Sequence, residues 1–277
     1  MNNSFGFRLL EAFEEHGQLC VGVDPSFEQL SSWNLPINTQ GLDSFGREIV
    51  DGCHGLVGVI KFQVAFFEQF GSAGLAVLEK LSTYASSSGL LVIADAKRGD
   101  IGTTMDGYAN AWLVRDSIFF ADAVTLSPYL GIESLESAID IALENARGVF
   151  VLCATSNPEA RKLQTSMSLD SKSVARQVAE HANHKNSGRL GSVGLVIGAE
   201  TKLGEYGLDA DDLLQTPILA PGFGFQGAKF KDARRIFGSV AGNLICNASR
   251  SIAGVSPTGL KSRIQHTKED LWKGLNA

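Results

Sequence analysis

Five charged residues are placed where charge is least expected. Asp24 closes the apolar run Leu19-Cys20-Val21-Gly22-Val23, Lys61 lies near the end of Val57-Gly58-Val59-Ile60-Lys61-Phe62, and Asp95 closes Leu90-Leu91-Val92-Ile93-Ala94, with Lys97 and Asp100 just beyond. A charge in so apolar a setting needs a partner or a ligand. At the two-residue period of a strand, Asp95 and Lys97 point to one side, so a carboxylate and an ammonium share one pocket. Gly99 then lets the chain turn before Asp100. A buried salt-bridge network without chemistry would explain one such residue, and Asp-x-Lys-x-x-Asp alone also suits a solvated turn. Charges at three successive strand ends favour a functional site.

A second group suits an anion. Gly222, Gly224 and Gly227 follow one apolar run, and Arg250 follows the next. Glycines let backbone N–H groups approach an anion closely, and a guanidinium can bind phosphate bidentately. The glycines alone read equally as a tight turn; Arg250 at the neighbouring strand end favours phosphate.

These residues must be positioned by regular elements. Eight short apolar runs recur: Leu19–Asp24, Val57–Phe62, Leu90–Asp95, Ala123–Ser127, Val149–Ala154, Gly194–Gly198, Pro217–Pro221 and Asn243–Asn247. Near-continuous apolar strands are buried on both faces, as in a parallel sheet. Between them a helical period appears, in Ile132, Leu135, Ile139, Ala142 and Leu143, and again in Phe66, Phe70, Val77, Leu78 and Leu81, where Gly71 and Gly74 interrupt it. Met1 to Gly17 reads as an amphipathic N-terminal helix. Ser26 to Gln40 and Asn157 to Gly191 are long for connections and are expected to carry extra helices or loops. The alternation predicts a single-domain (β/α)8 barrel over residues 1–277; an open eight-stranded sheet satisfies the same count. In a barrel the C-terminal strand ends converge on one face, and phosphate is often held after strands seven and eight.

The segment Val92-Ile93-Ala94-Asp95-Ala96-Lys97-Arg98-Gly99-Asp100-Ile101-Gly102-Thr103-Thr104 resembles the signature of the orotidine 5'-phosphate decarboxylases, in particular their longer bacterial subfamily. The resemblance extends to Val21–Ser26, Ile60–Gln63, Ala220–Gly227 and Asn247–Ile252. It implies a (β/α)8 barrel that removes CO2 from C6 of the orotate ring and protonates that carbon. The product is uridine 5'-phosphate, in the last step of de novo pyrimidine nucleotide synthesis, with neither metal nor organic cofactor. It implies Lys97 as proton donor and Asp95 against the leaving carboxylate, with Lys61 and Asp24 at ribose hydroxyls. Pro221, Gly222, Gly224, Gln226 and Arg250 fall to phosphate or pyrimidine binding, and Ser156 to the pyrimidine. It also implies a homodimer in which Asp100, Ile101 and Thr104 reach the neighbouring site. An ammonium between Asp95 and Asp100 has its charged form favoured.

Composition narrows the field. A net charge of -6, with 44% hydrophobic and 19% charged residues, argues against a nucleic-acid partner and for a compact globular chain. No signal peptide or bilayer-length apolar run is evident, so a cytoplasmic, non-membrane protein is expected. Four cysteines without C-x-x-C spacing suggest reduced, buried thiols and no disulfide framework or zinc site. His181 and His184 share a helical face, yet no nearby carboxylate or cysteine arrangement supports a metal there; Trp112 and Trp272 read as helix packing. The competing readings are a Mg2+-dependent sugar-phosphate decarboxylase or aldolase with the same Asp-x-Lys-x-x-Asp pattern, and a non-catalytic phosphate-binding barrel.

Overall fold

The computed structural model describes residues 4–225 and 227–276. The eight apolar runs form β1 (Leu19–Val23), β2 (Val59–Gln63), β3 (Leu91–Arg98), β4 (Ala123–Leu126), β5 (Gly148–Ala154), β6 (Val193–Ile197), β7 (Ile218–Ala220) and β8 (Leu244–Ala248). All are parallel, and β8 pairs back onto β1, closing the barrel. The helices are α1 (Phe5–His16), α2 (Phe27–Ser32), α3 (Thr39–Cys53), α4 (Ala65–Glu68), α5 (Gly71–Ser87), α6 (Gly102–Trp112), α7 (Glu136–Glu144), α8 (Ala160–Gln164), α9 (Val174–Lys185), α10 (Ala233–Phe237), α11 (Arg250–Ala253) and α12 (Leu260–Leu275). The long connections carry α2 and the pair α8 and α9, and the predicted break near Gly71 separates α4 from α5.

Two apolar layers hold the barrel. Inside it, every strand contributes one buried residue to a single cluster: Cys20, Val59, Ile93, Ala123, Phe150, Val196, Leu219 and Ile245. Phe5 and Leu9 of α1 belong to the same cluster, so the N-terminal helix plugs the end opposite the charged residues. Phe5 meets Phe150 edge to face with ring centroids 5.9 Å apart. Its ring fills the space at Gly148, where a Cβ would lie 2.3 Å from Phe5 Cδ1. Outside, apolar faces of α3, α5, α7 and α9 cover the strands.

A buried carboxylate ties the plug to the sheet. Asp122 accepts hydrogen bonds from Arg8 of α1, from Arg147 Nη1 at 2.9 Å and from the Val92 N–H at 2.9 Å. The four cysteines are free and buried. No helix among the described residues is long and apolar enough to cross a membrane. Trp112 is buried against Phe119, as expected of helix packing, but Trp272 is 65% exposed. It lies one position past Leu271, which takes the buried face of α12.

Phe5→Ala empties the space between plug and strands and is expected to cost about 3 to 5 kcal/mol in a denaturant melt.

Candidate active site

The C-terminal strand ends surround a cavity of about 520 Å³. At its base lies a chain of charges. Lys61 Nζ of β2 is 2.9 Å from Asp95 Oδ2, and Lys97 Nζ is 2.5 Å from Asp95 Oδ1. Asp24, just past β1, lies 4.0 Å from Lys61 Nζ, which also donates to Gln63 Oε1 at 3.2 Å. The Lys61 side chain is 4% exposed and that of Asp95 12%, whereas that of Lys97 is 45% exposed and borders the cavity.

This arrangement sets the charge states. Burial alone would push the Asp95 carboxyl up. The ammonium groups of Lys61 and Lys97 outweigh burial, by charge and by direct hydrogen bonds, and hold Asp95 well below the usual carboxylate range. Burial would likewise push the Lys61 ammonium down, yet Asp95 and Asp24 more than reverse it, leaving Lys61 above the ordinary lysine value. At neutral pH the base of the cavity is an ionised chain.

Lys97 reaches Asp95 by a different route from regular alternation. Its backbone is left-handed, with φ 49°, and the pairing of β3 with β4 shifts register between Ala94 and Arg98. The two side chains meet because the strand leaves its pleat. The freed Lys97 N–H donates to Thr125 Oγ1 at 2.9 Å.

Around the base, Leu152, Val196 and Leu219 form an apolar floor. Pro221, Gly222, Phe225 and Arg250 line the β7–β8 side, with Arg250 stacked over Phe225 at 5.2 Å from the ring centroid. Ser156 lines the cavity past β5 beside Thr155, whose N–H donates to Gln164 Oε1 of α8 at 2.9 Å. Gly22 lets β1 approach the residue just past β8: a Cβ there would lie 2.0 Å from Ser249 Oγ. Among the described residues, the buried Asp24 Oδ1 and Asn247 Oδ1 have no hydrogen-bond partner, which leaves acceptor capacity at this end of the site.

Other expected residues lie apart from the cavity. Asp100, Ile101 and Thr104 do not line it; Asp100 Oδ1 accepts from the Ile101 N–H at 2.8 Å, so within this chain Lys97 does not sit between two aspartates. Gly224 is not on the wall either. It has φ +76°, and a Cβ would lie 2.7 Å from Ser251 Oγ, so turn packing accounts for the glycine. Gln226 lies outside the described residues. Among the described residues no group of three or more His, Cys, Asp or Glu could hold a metal ion. His181 Nε2 is 2.8 Å from Glu136 Oε2 of α7, and Lys185 shares that carboxylate. The pair links α7 to α9.

Gln63, Thr125 and Asn247 were not singled out from the sequence. Their signal was a polar residue inside or ending an apolar run, the same one that marks Lys61.

A family model described as "Orotidine 5'-phosphate decarboxylase / HUMPS family" matches residues 17–259. The chain is 44% identical over 277 residues to an orotidine 5'-phosphate decarboxylase of Corynebacterium glutamicum strain R, covering 96% of this chain and 97% of that relative. It is 45% identical over 256 residues to that of Streptomyces coelicolor, covering 91% of each. Among solved structures, a Streptomyces avermitilis crystal structure provisionally named orotidine 5'-phosphate decarboxylase superposes with a TM-score of 0.94 at 42% identity, over 99% of this chain and 96% of that one. Leishmania donovani OMP decarboxylase superposes with a TM-score of 0.77 at 27% identity, over 99% of each chain.

Asp95→Asn removes the charge against which Lys61 is buried and is expected to cost about 3 to 5 kcal/mol in a urea melt at pH 7. Because Asp95 is depressed on folding, the wild-type margin is full above about pH 4, the unfolded carboxyl value. It is lost as pH falls through the lower value of the folded chain. Melts at a series of pH values check both magnitude and sign.

Proposed function

This chain belongs to the orotidine 5'-phosphate decarboxylase / HUMPS family, and from that premise we infer how its barrel mouth converts orotidine 5'-phosphate to uridine 5'-phosphate and CO2. The chain is a carboxy-lyase of pyrimidine nucleotide synthesis. The observation that carries the mechanism is the ionised chain Lys61–Asp95–Lys97 at the base of the cavity.

The bond from C6 to the carboxylate breaks with its electron pair left on C6, a carbanion with no adjacent electron sink. Lys97 stabilises that charge through its ammonium and then delivers a proton to C6, forming the new C–H bond. The neutral amine regains its proton from solvent. Asp95 faces the carboxylate that leaves as CO2. Two such charges about 4 Å apart repel by about 4 kcal/mol at an effective dielectric near 20. Enzymes supply about 8 to 23 kcal/mol, so repulsion alone is too small. The greater part is assigned to charges fixed in advance for the transition state, with binding energy from the distant phosphate and ribose holding the ring against them.

Arg250 and the backbone at Gly222 are assigned to the phosphate, Asp24 and Lys61 to ribose hydroxyls, and Ser156 to the pyrimidine. Gln226 is assigned to the phosphate or pyrimidine by the family resemblance alone. The same resemblance supports a homodimer in which Asp100, Ile101 and Thr104 serve the neighbouring site, and their separation from the cavity of their own chain fits that role. The free, buried thiols fit a reducing, cytoplasmic setting.

Loss of orotidine 5'-phosphate absorbance on mixing with the purified protein tests the function, and a wild-type protein without turnover overturns it. Lys97→Ala is expected to lower kcat by about 10²-fold or more. Arg250→Ala, which loses a charge-assisted hydrogen bond, is expected to lower kcat/KM by about 10- to 100-fold. EDTA is expected to leave the wild-type rate intact; a rate restored only by Mg2+ favours the metal-dependent relatives.

A further inference from the structure

Thr125 of β4 is fully buried and does not line the cavity. Its hydroxyl nevertheless joins the two central residues of the charge chain. Oγ1 accepts from the Lys97 N–H at 2.9 Å and lies 3.0 Å from Asp95 Oδ1. That same carboxylate oxygen meets Lys97 Nζ at 2.5 Å. The contacts close a ring: Lys97 backbone to Thr125, Thr125 to Asp95, Asp95 to the Lys97 side chain.

A hydroxyl has one proton and two lone pairs. Since the amide N–H uses a lone pair of Thr125 Oγ1, the hydroxyl proton is free to donate to the ionised Asp95. The ring also receives the backbone N–H that the left-handed turn at Lys97 removes from the ladder with β4. Without it that partly buried N–H would lose the partner it has there.

We propose that Thr125 is a positioning residue for decarboxylation, fixing both the plane of the Asp95 carboxylate and the backbone from which Lys97 reaches the reacting carbon. The inference rests on the decarboxylase reading and deepens it. Asp95 is held from each side: Lys61 from β2, backed by Asp24 just past β1, grips Oδ2, while Lys97 and Thr125 of β4 grip Oδ1. Of these, Thr125 alone touches both the side chain of Asp95 and the main chain of Lys97. Losing it lets the carboxylate rotate and the Lys97 turn relax, and a displacement on the order of 1 Å can cost about 100-fold in rate.

Serine keeps the hydroxyl, whereas valine keeps the shape and loses it. Thr125→Val is expected to lower kcat by about 10- to 100-fold while KM and the affinity for uridine 5'-phosphate stay within about threefold, because binding energy comes from groups Thr125 does not touch. Thr125→Ser is expected to recover most of the rate. Where Thr125→Val does not fold, Thr125→Ala makes the same test, since it deletes the hydroxyl without adding a methyl group. A hydroxyl-free variant with wild-type kcat overturns the proposal, and so does a serine variant as slow as the valine one. A parallel loss of kcat and product affinity in both also overturns it, as a packing defect. Wild-type turnover is measured alongside: its absence overturns the decarboxylase reading, and the proposal with it.

Discussion

The site depends on the pairing of buried Lys61 with Asp95. An ammonium out of water is costly unless an opposite charge sits against it, and Asp95 at 2.9 Å meets that need. Asp95 is in turn kept ionised, and as an anion it holds the Lys97 ammonium at the cavity wall. Removing any one member leaves another unbalanced, so the charges form a unit. The strand ends that carry them must therefore be fixed to within fractions of an ångström. A closed sheet in which every strand adds one residue to a single buried inner cluster, plugged by Phe5 and Leu9, is built to provide this.

The cavity has two unlike sides. Charges gather on the side built by β1 to β3, while Gly222, Phe225 and Arg250 on the β7–β8 side form the surface assigned to the phosphate. Leu152, Val196 and Leu219 lie between them as an apolar floor. In the proposed mechanism this division lets binding energy gained far from the reacting carbon hold the ring against charges that would otherwise repel its carboxylate. Asp24 Oδ1 and Asn247 Oδ1 add acceptors that have no hydrogen-bond partner among the described residues.

Much of this was legible in the residues themselves. All eight strands could be read because strands buried on both faces are nearly continuous apolar runs. The same background made Asp24, Lys61 and Asp95 visible by contrast. What stayed hidden depends on backbone geometry and on contacts between distant elements. Period two predicted that Asp95 and Lys97 meet, but not the left-handed turn by which they do so. Thr125 looked like an ordinary β-branched strand residue, since its role comes from a register shift between β3 and β4. Gly224 looked like a phosphate glycine and is explained by Ser251 behind it. Trp272 and the Glu136–His181 contact show the same limit, because which helix face is covered is decided by neighbours far along the chain.

The central claim is that Asp95 stands as an anion between two ammonium groups throughout the working pH range. Carbon NMR of the Asp95 carboxyl in labelled protein, titrated from neutral pH down to about pH 3, below the ordinary aspartate value, tests it directly. The charge chain predicts a carboxylate signal that does not titrate over that span. A titration midpoint near or above the ordinary aspartate value would contradict it.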